Sequence, residues 1–235
     1  MNINEALKQA ISYHNANRMS EAEALYRSVL KSQAGHPVAS VLLAKVLLQK
    51  GNTIEAESLL KGVISEHKYY MQAYNVMGNL YETKKETSKA IRFYKKALML
   101  QPAQSAPLVA IGNLLQSRDV FSNGDNPAIF TIYKYAIINQ PKFLPGLNNL
   151  AAIQLKMFLP EEALDTINQV LSLSPYNIRA NAYKTIVLHG LGRESEANKL
   201  IGFGSLIQTK ELELRKSNQT LSAFNEKLEK VILKH

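Results

Sequence analysis

Apolar and small side chains recur at helical spacing within residues 71–104. Tyr74, Met77 and Tyr81 follow one another at steps of three and four residues, so they share one face of a helix. A second helical face follows, made of Ala90, Tyr94, Ala97 and Leu98. Pro102 ends the second helix, because proline lacks the N–H that a helix interior needs. The segment therefore predicts two amphipathic helices closed by a proline.

The same pattern recurs along the chain at a step of 34 residues. It is marked on the first helix of each unit by Ala10, Ala44, Gly78, Gly112, Ala151 and Thr185. On the second helix it is marked by Ala22, Ala56, Ala90, Ile129, Ala163 and Ala197. Each series contains a single step of 39, which places five extra residues within 119–127. We therefore predict six repeats, at 3–36, 37–70, 71–104, 105–143, 144–177 and 178–204.

The insertion at 119–127 has two interpretations. Its Ser-Asn-Gly-Asp-Asn-Pro run is a strong turn signal. Surface turns tolerate added residues at little free-energy cost, so a long turn without function is the simpler interpretation. The alternative is a loop that contacts a partner.

Eight residues of the third unit resemble, in order and spacing, the tetratricopeptide repeat (TPR), a helix–turn–helix of 34 residues. They are Tyr74, Met77, Gly78, Tyr81, Ala90, Tyr94, Ala97 and Pro102. The resemblance implies an all-α TPR solenoid over residues 3–204, a right-handed superhelix in which each hairpin buries its apolar faces against its neighbours. It also implies protein–protein interaction without catalysis. In this family the first helices line a concave groove that holds a peptide or a helix.

Asparagines occupy the positions that the resemblance places in this groove. Asn79 and Asn113 lie at the same position of successive repeats and are expected to stack. The other candidate ligand-binding residues are Asn75, Asn148 and Asn149. An amide offers a donor and an acceptor, which matches a peptide backbone without demanding a particular side chain. The alternative is that these are ordinary solvated polar residues.

Residues 205–235 leave the repeat pattern. Leu221, Phe224, Leu228, Val231 and Ile232 predict an amphipathic helix, which we interpret as a cap over the last repeat. The run from Leu221 to Leu228 also resembles a segment that precedes the catalytic domain in bacterial 2-oxoglutarate oxygenases. The first repeat likewise resembles TPR regions upstream of such oxygenases and of glycosyltransferases.

A formal net charge of +9 adds a basic surface to this picture. Part of the charge lies at helical spacing on the second helix of the third repeat, at Lys85, Lys89, Arg92 and Lys96. A solvated outer face is the simpler interpretation, and docking of an acidic partner is the alternative. No aromatic residue is expected between these cations to stack on bases, so nucleic acid is an unlikely partner.

The remaining composition argues against chemistry. The chain has no cysteine, which excludes thiolate metal sites and nucleophiles, and none of its five histidines stands in a metal-binding motif. No signal sequence or membrane-spanning stretch is recognised, so a cytoplasmic protein is expected. We expect no enzymatic activity, no cofactor and no metal.

The function predicted from the sequence is that of a protein–protein interaction scaffold, which binds a peptide or helix in the TPR groove. The alternative is a module that recruits substrates for a 2-oxoglutarate oxygenase or a glycosyltransferase, either fused to the enzyme or acting in trans.

Overall fold

A computed structural model describes residues 2–118 and 126–200. The part of the chain that it describes is helical and contains no strand, which confirms the all-α helical repeat fold. Its helices are α1 (Ile3–Asn15), α2 (Met19–Ser32), α3 (Pro37–Gln49), α4 (Thr53–Glu66), α5 (Met71–Thr83), α6 (Thr87–Leu100), α7 (Ser105–Arg118), α8 (Asn126–Asn139), α9 (Leu144–Lys156), α10 (Pro160–Leu173) and α11 (Ile178–Gly190). Residues 194–200 are also helical. The predicted capping helix and most of the 119–127 insertion lie outside the described residues.

Local signals explain where these helices begin and end. The side chains of Asn2, Asn52 and Asn177 each accept a hydrogen bond from a backbone N–H in the first turn of the helix that follows. Pro37 and Pro160 lie in the first turn of their helices, where a missing N–H costs nothing. The prediction from Pro102 is confirmed, since α6 ends at Leu100 and Gln101 is extended, with φ −142°.

The described residues divide into two compact units, which meet in the sequence between Pro141 and Lys142. In the first unit α1 packs on α2, α3 on α4, α5 on α6 and α7 on α8. The second helices α2, α4 and α6 also contact the first helix of the next pair. The first helices α3 and α5 also touch each other. In the second unit α9, α10 and α11 contact one another. Each hairpin therefore buries its apolar faces against a neighbour, as expected for a stack of repeats.

Small residues mark the points where paired helices cross. Gly78 on α5 lies under the ring of Tyr94 on α6, and a methyl group at Gly78 would overlap that ring. In the next pair a methyl group at Gly112 would lie 2.5 Å from the ring of Tyr133. Both tyrosine rings are buried. The two glycines are thus needed for close packing rather than for backbone freedom.

The turn between the two helices of a repeat places one residue in the left-handed region. These residues are Asn17, Gly51, Lys85, Phe158 and Gly192, with φ between 57° and 81°. Lys85 therefore lies in the turn before α6, and its predicted place on the second helix of the third repeat was wrong. Lysine is common in helices, so its residue type does not reveal that the backbone of Lys85 is left-handed. Helical spacing alone therefore placed Lys85 on the same helix as Lys89, Arg92 and Lys96.

Candidate functional site

Asn79 lies on the exposed side of α5, directly after Gly78. Its side-chain oxygen Oδ1 accepts a hydrogen bond from the Tyr94 hydroxyl at 2.6 Å. The same hydroxyl lies 2.7 Å from the carboxylate oxygen Oε2 of Glu82, one turn further along α5. The tyrosine has a single O–H proton, so the two acceptors share it. The ring of Tyr94 thus crosses α5 over Gly78, and its hydroxyl reaches the polar edge of the helix.

The following repeat builds the same arrangement. Asn113 follows Gly112 on α7, and its Oδ1 accepts a hydrogen bond from the Tyr133 hydroxyl at 2.7 Å. Both asparagine side chains are exposed, as the sequence indicated. The structure adds what the sequence pattern did not show, which is that each amide is held by a buried tyrosine of the second helix.

Burial keeps these hydroxyls protonated. Burial raises the pKa of the Tyr133 hydroxyl to about 12. The pKa of Tyr94 is raised further, first by burial and then by the neighbouring Glu82 carboxylate. At neutral pH both hydroxyls therefore act as donors toward the amide oxygens.

This geometry sets what an asparagine can offer to a ligand. Because the tyrosine engages the amide oxygen of Asn79, the amide nitrogen Nδ2 is the group left to bond a ligand. Nδ2 of Asn79 bonds to no group within residues 2–118 and 126–200. A donor in a fixed position suits the carbonyl oxygen of a bound chain.

The other candidate asparagines are held differently. Asn75 is partly exposed on α5, one turn before Asn79. Asn148 and Asn149, also partly exposed, lie on α9 in the second unit, and Asn148 donates through Nδ2 to the carbonyl of Leu144 at 3.0 Å. That bond engages one N–H of the amide within its own helix. Asn148 is therefore a weaker candidate than Asn79.

Residues 3–116, which include Asn79 and Asn113, match the family model of a tetratricopeptide repeat-like domain. Over these residues the chain carries a tetratricopeptide repeat-like domain. Domains of this family are protein-interaction scaffolds.

Solved structures share the TPR fold. TTC0263, a thermophilic TPR protein of Thermus thermophilus, superposes with a TM-score of 0.65 at 19% identity, over 80% of this chain and 99% of that one. YrrB, a TPR protein with an unusual peptide-binding site, superposes with a TM-score of 0.59 at 14% identity, over 78% of this chain and 92% of that one. Likeness at these identities shows the fold.

A human protein is similar to part of the chain. It is the protein O-mannosyl-transferase TMTC1, 25% identical over 146 residues, which are 60% of this chain and 16% of that protein. The chain thus spans about a sixth of the length of this relative.

Within the TPR-like domain the position of Asn79 varies between repeats. The same position carries Ile11 in the first repeat and Lys45 in the second, followed by Asn79 and Asn113. We call the surface made by these four residues the first-helix face. It changes from apolar to cationic to amide along the stack, so its parts present different chemistry to a ligand.

The predicted basic surface lies beside aromatic rings. Lys89 lies 5.2 Å from the ring centroid of Tyr81, Arg92 5.6 Å from that of Phe93, and Lys96 5.8 Å from that of Tyr74. Rings from both α5 and α6 lie under these cations, and those of Tyr74 and Tyr81 are buried. These contacts hold the cations on the surface of the helix pair. That nucleic acid is an unlikely partner stays a prediction. Binding of an acidic partner there stays a prediction.

The described part of the chain offers no cluster for metal chemistry. No three His, Asp or Glu side chains gather there in a metal-binding group. Among the same residues, no helix is both long and apolar enough to cross a bilayer.

Proposed function

We propose that the chain binds an extended segment of a partner protein on the first-helix face, centred on Asn79 and Asn113. The observation that carries this proposal is the repeated Gly–Asn–Tyr arrangement, in which a buried tyrosine hydroxyl fixes an exposed amide in two successive repeats. Solvated asparagines without a role need no buried partner to hold their orientation.

The spacing of the amides suits a peptide backbone. Packed helices lie about 8–10 Å apart. An extended chain rises about 3.3 Å per residue, so one asparagine per repeat meets about every third residue of a bound segment. Such contacts read the backbone and leave the side chains between them free to vary.

The direction of the hydrogen bonds is also set. Tyr94 engages Oδ1 of Asn79, so Nδ2 donates to the ligand, and a backbone carbonyl is the matching group. The site therefore favours a strand-like segment that turns a carbonyl toward α5. A helical ligand has its carbonyls engaged internally and fits less well.

Removing both amides tests the proposal. Random peptides of about 12 residues, long enough to cross four repeats at three residues each, are displayed and selected on the full chain. Each lost hydrogen bond costs about 0.5–1.5 kcal/mol, so Asn79→Ala with Asn113→Ala is expected to weaken the selected peptide about 5- to 150-fold. Isothermal titration calorimetry measures the change.

A matched control uses an asparagine away from the face. Asn139, at the end of α8, donates to the carbonyl of Tyr135, so Asn139→Ala removes an amide without touching the first-helix face. Unchanged affinity in the Asn79/Asn113 double variant, with its circular dichroism intact, would rule out the amide site.

A second candidate function rests on the similarity to TMTC1. We propose as this alternative that the TPR-like domain recruits substrates for a glycosyltransferase, fused or in trans; an oxygenase in that role is supported by sequence resemblance alone. The test is glycosylation of selected peptides by a transferase that co-purifies with the chain. If the Asn79/Asn113 double variant supports the same rate as the natural chain, this alternative fails.

A further inference from the structure

The Tyr26 side chain in the first repeat has an unsatisfied hydroxyl. Tyr26 is 0% exposed, and its hydroxyl has no hydrogen-bond partner in the described residues. A buried hydroxyl without a partner costs free energy, so such groups are rare in folded proteins. The hydroxyl of Tyr26 therefore calls for an explanation.

Comparison with the third repeat shows what Tyr26 lacks. Tyr94, at the same repeat position, has Asn79 and Glu82 as acceptors. Two repeats earlier, at a step of 34 residues, the counterpart of Asn79 is Ile11 and the counterpart of Glu82 is His14. The first repeat thus keeps the donor and replaces both acceptors, including the carboxylate.

A histidine and a lysine lie where the carboxylate is missing. The His14 ring packs edge-on against the Tyr26 ring, with centroids 6.4 Å apart. Lys45 holds the position of Asn79 in the second repeat, and its positive charge adds to the effect of burial in lowering the pKa of His14. Lys45 takes part in none of the ion pairs among residues 2–118 and 126–200.

We propose that Tyr26, His14 and Lys45 form a subsite for a carboxylate of the bound segment. The ligand supplies the group that Glu82 supplies to Tyr94 in the third repeat, and Lys45 neutralises its charge. This subsite rests on the proposed function, since the segment that crosses Asn79 and Asn113 extends along the same face to the first repeat. The subsite narrows the class of ligand to an extended segment that carries an acidic group. That group lies about six residues from the part held by Asn79, because the first repeat is two repeats away and each repeat spans about three peptide residues.

Access to the Tyr26 hydroxyl depends on His14. In the free protein the hydroxyl is covered, whereas the side chain of His14 is partly exposed. For a ligand to reach this hydroxyl, His14 has to give up its edge-on contact with the Tyr26 ring. The imidazole then becomes a third donor for the carboxylate.

The peptide selection described above tests the subsite. Selection on the natural chain is expected to enrich Asp, Glu or a free C-terminal carboxylate at one fixed place in the peptide. Selection on Lys45→Met is expected to lose this preference, and selection on Lys31→Met, an exposed lysine on α2, to keep it. Synthetic peptides with Glu replaced by Gln, or with an amidated C-terminus, separate a side-chain carboxylate from a terminal one.

Tyr26→Phe gives a second readout that a purely structural tyrosine does not produce. Removing an unsatisfied hydroxyl should leave the melting temperature unchanged or higher. The same variant should bind the acidic peptide about three- to tenfold more weakly, because a donor to the carboxylate is lost. A peptide with Met in place of this acidic residue should bind the natural chain and Tyr26→Phe equally, because Met offers the hydroxyl no oxygen acceptor.

The outcomes separate the two proposals. Peptides that bind through Asn79 and Asn113 but carry no fixed acidic group overturn the subsite and leave the proposed function standing. Acidic peptides whose affinity is unaffected by Lys45→Met and Tyr26→Phe also overturn it. If no peptide is selected at all, the proposed function fails, and the subsite fails with it.

Discussion

Gly78→Ala is expected to destabilise the protein by about 1–3 kcal/mol, although alanine is the better helix former. The added methyl group would overlap the buried ring of Tyr94, so the ring has to move. A displaced ring also takes its hydroxyl away from Asn79 and Glu82. The variant therefore loses packing and two hydrogen-bond acceptors at once.

The first repeat already carries an alanine at this helix crossing. Ala10 takes the place of Gly78 there, opposite Tyr26, and the hydroxyl of Tyr26 has no partner in the described residues. Gly78→Ala thus changes the third repeat toward the first. The chain thus accommodates an alanine at this crossing in a repeat where the tyrosine hydroxyl has no acceptor to reach.

Gly62→Ala is the matched control. Gly62 also lies inside a helix, α4, but a methyl group there meets no atom within 4 Å. This variant should be more stable by about 0.5–1 kcal/mol, because alanine restricts the unfolded chain. Urea unfolding, followed by circular dichroism, measures both changes. Effects of the same sign at Gly78 and Gly62 would contradict the overlap with Tyr94.

Tyr94→Leu is expected to cost more, about 2–4 kcal/mol, because it leaves a cavity over Gly78 in a close-packed core. It also removes the only hydroxyl between Asn79 and Glu82 among the described residues. The same unfolding experiment measures this loss.

The double variant Gly78→Ala with Tyr94→Leu separates the two contributions. It copies the second repeat, where Ala44 and Leu60 hold these positions and both are buried. The new methyl group fills part of the space that the ring leaves, so the double variant should recover about 1–2 kcal/mol relative to Tyr94→Leu. A cost equal to the sum of the single variants would show that the two residues do not pack on each other.

The fold could be predicted from the sequence because its signals are local and repeated. The positions of Gly78, Ala90, Tyr94 and Pro102 recur at a fixed step, and each recurrence supports the others. Where one residue departs from the pattern, the prediction failed, as at Lys85, whose left-handed backbone lies in a turn. Periodicity identifies helices well and their first residue poorly.

The candidate site could be predicted only in part. The exposed amides of Asn79 and Asn113 follow from their place on the helix, but the hydroxyls that hold them come from another helix. A signal was present in the sequence of both repeats. A Gly-Asn pair on the first helix is followed by a tyrosine on the second helix, as Gly78-Asn79 is by Tyr94. The same comparison would have shown that Tyr26 lacks an Asn partner, because Ile11 stands in its place.

The buried tyrosines also determine how the repeat stack responds to alkali. A phenol in the unfolded chain ionises near its ordinary pKa of about 10. Burial raises the pKa of Tyr26 and of Tyr133 to about 12, and that of Tyr94 is raised as well. Their contribution to stability is therefore complete below pH about 10 and is lost as the pH rises through the folded-state pKa values. These three of the 11 tyrosines, and Tyr70, whose pKa burial also raises, are therefore expected to ionise at higher pH in the folded stack than in the unfolded chain.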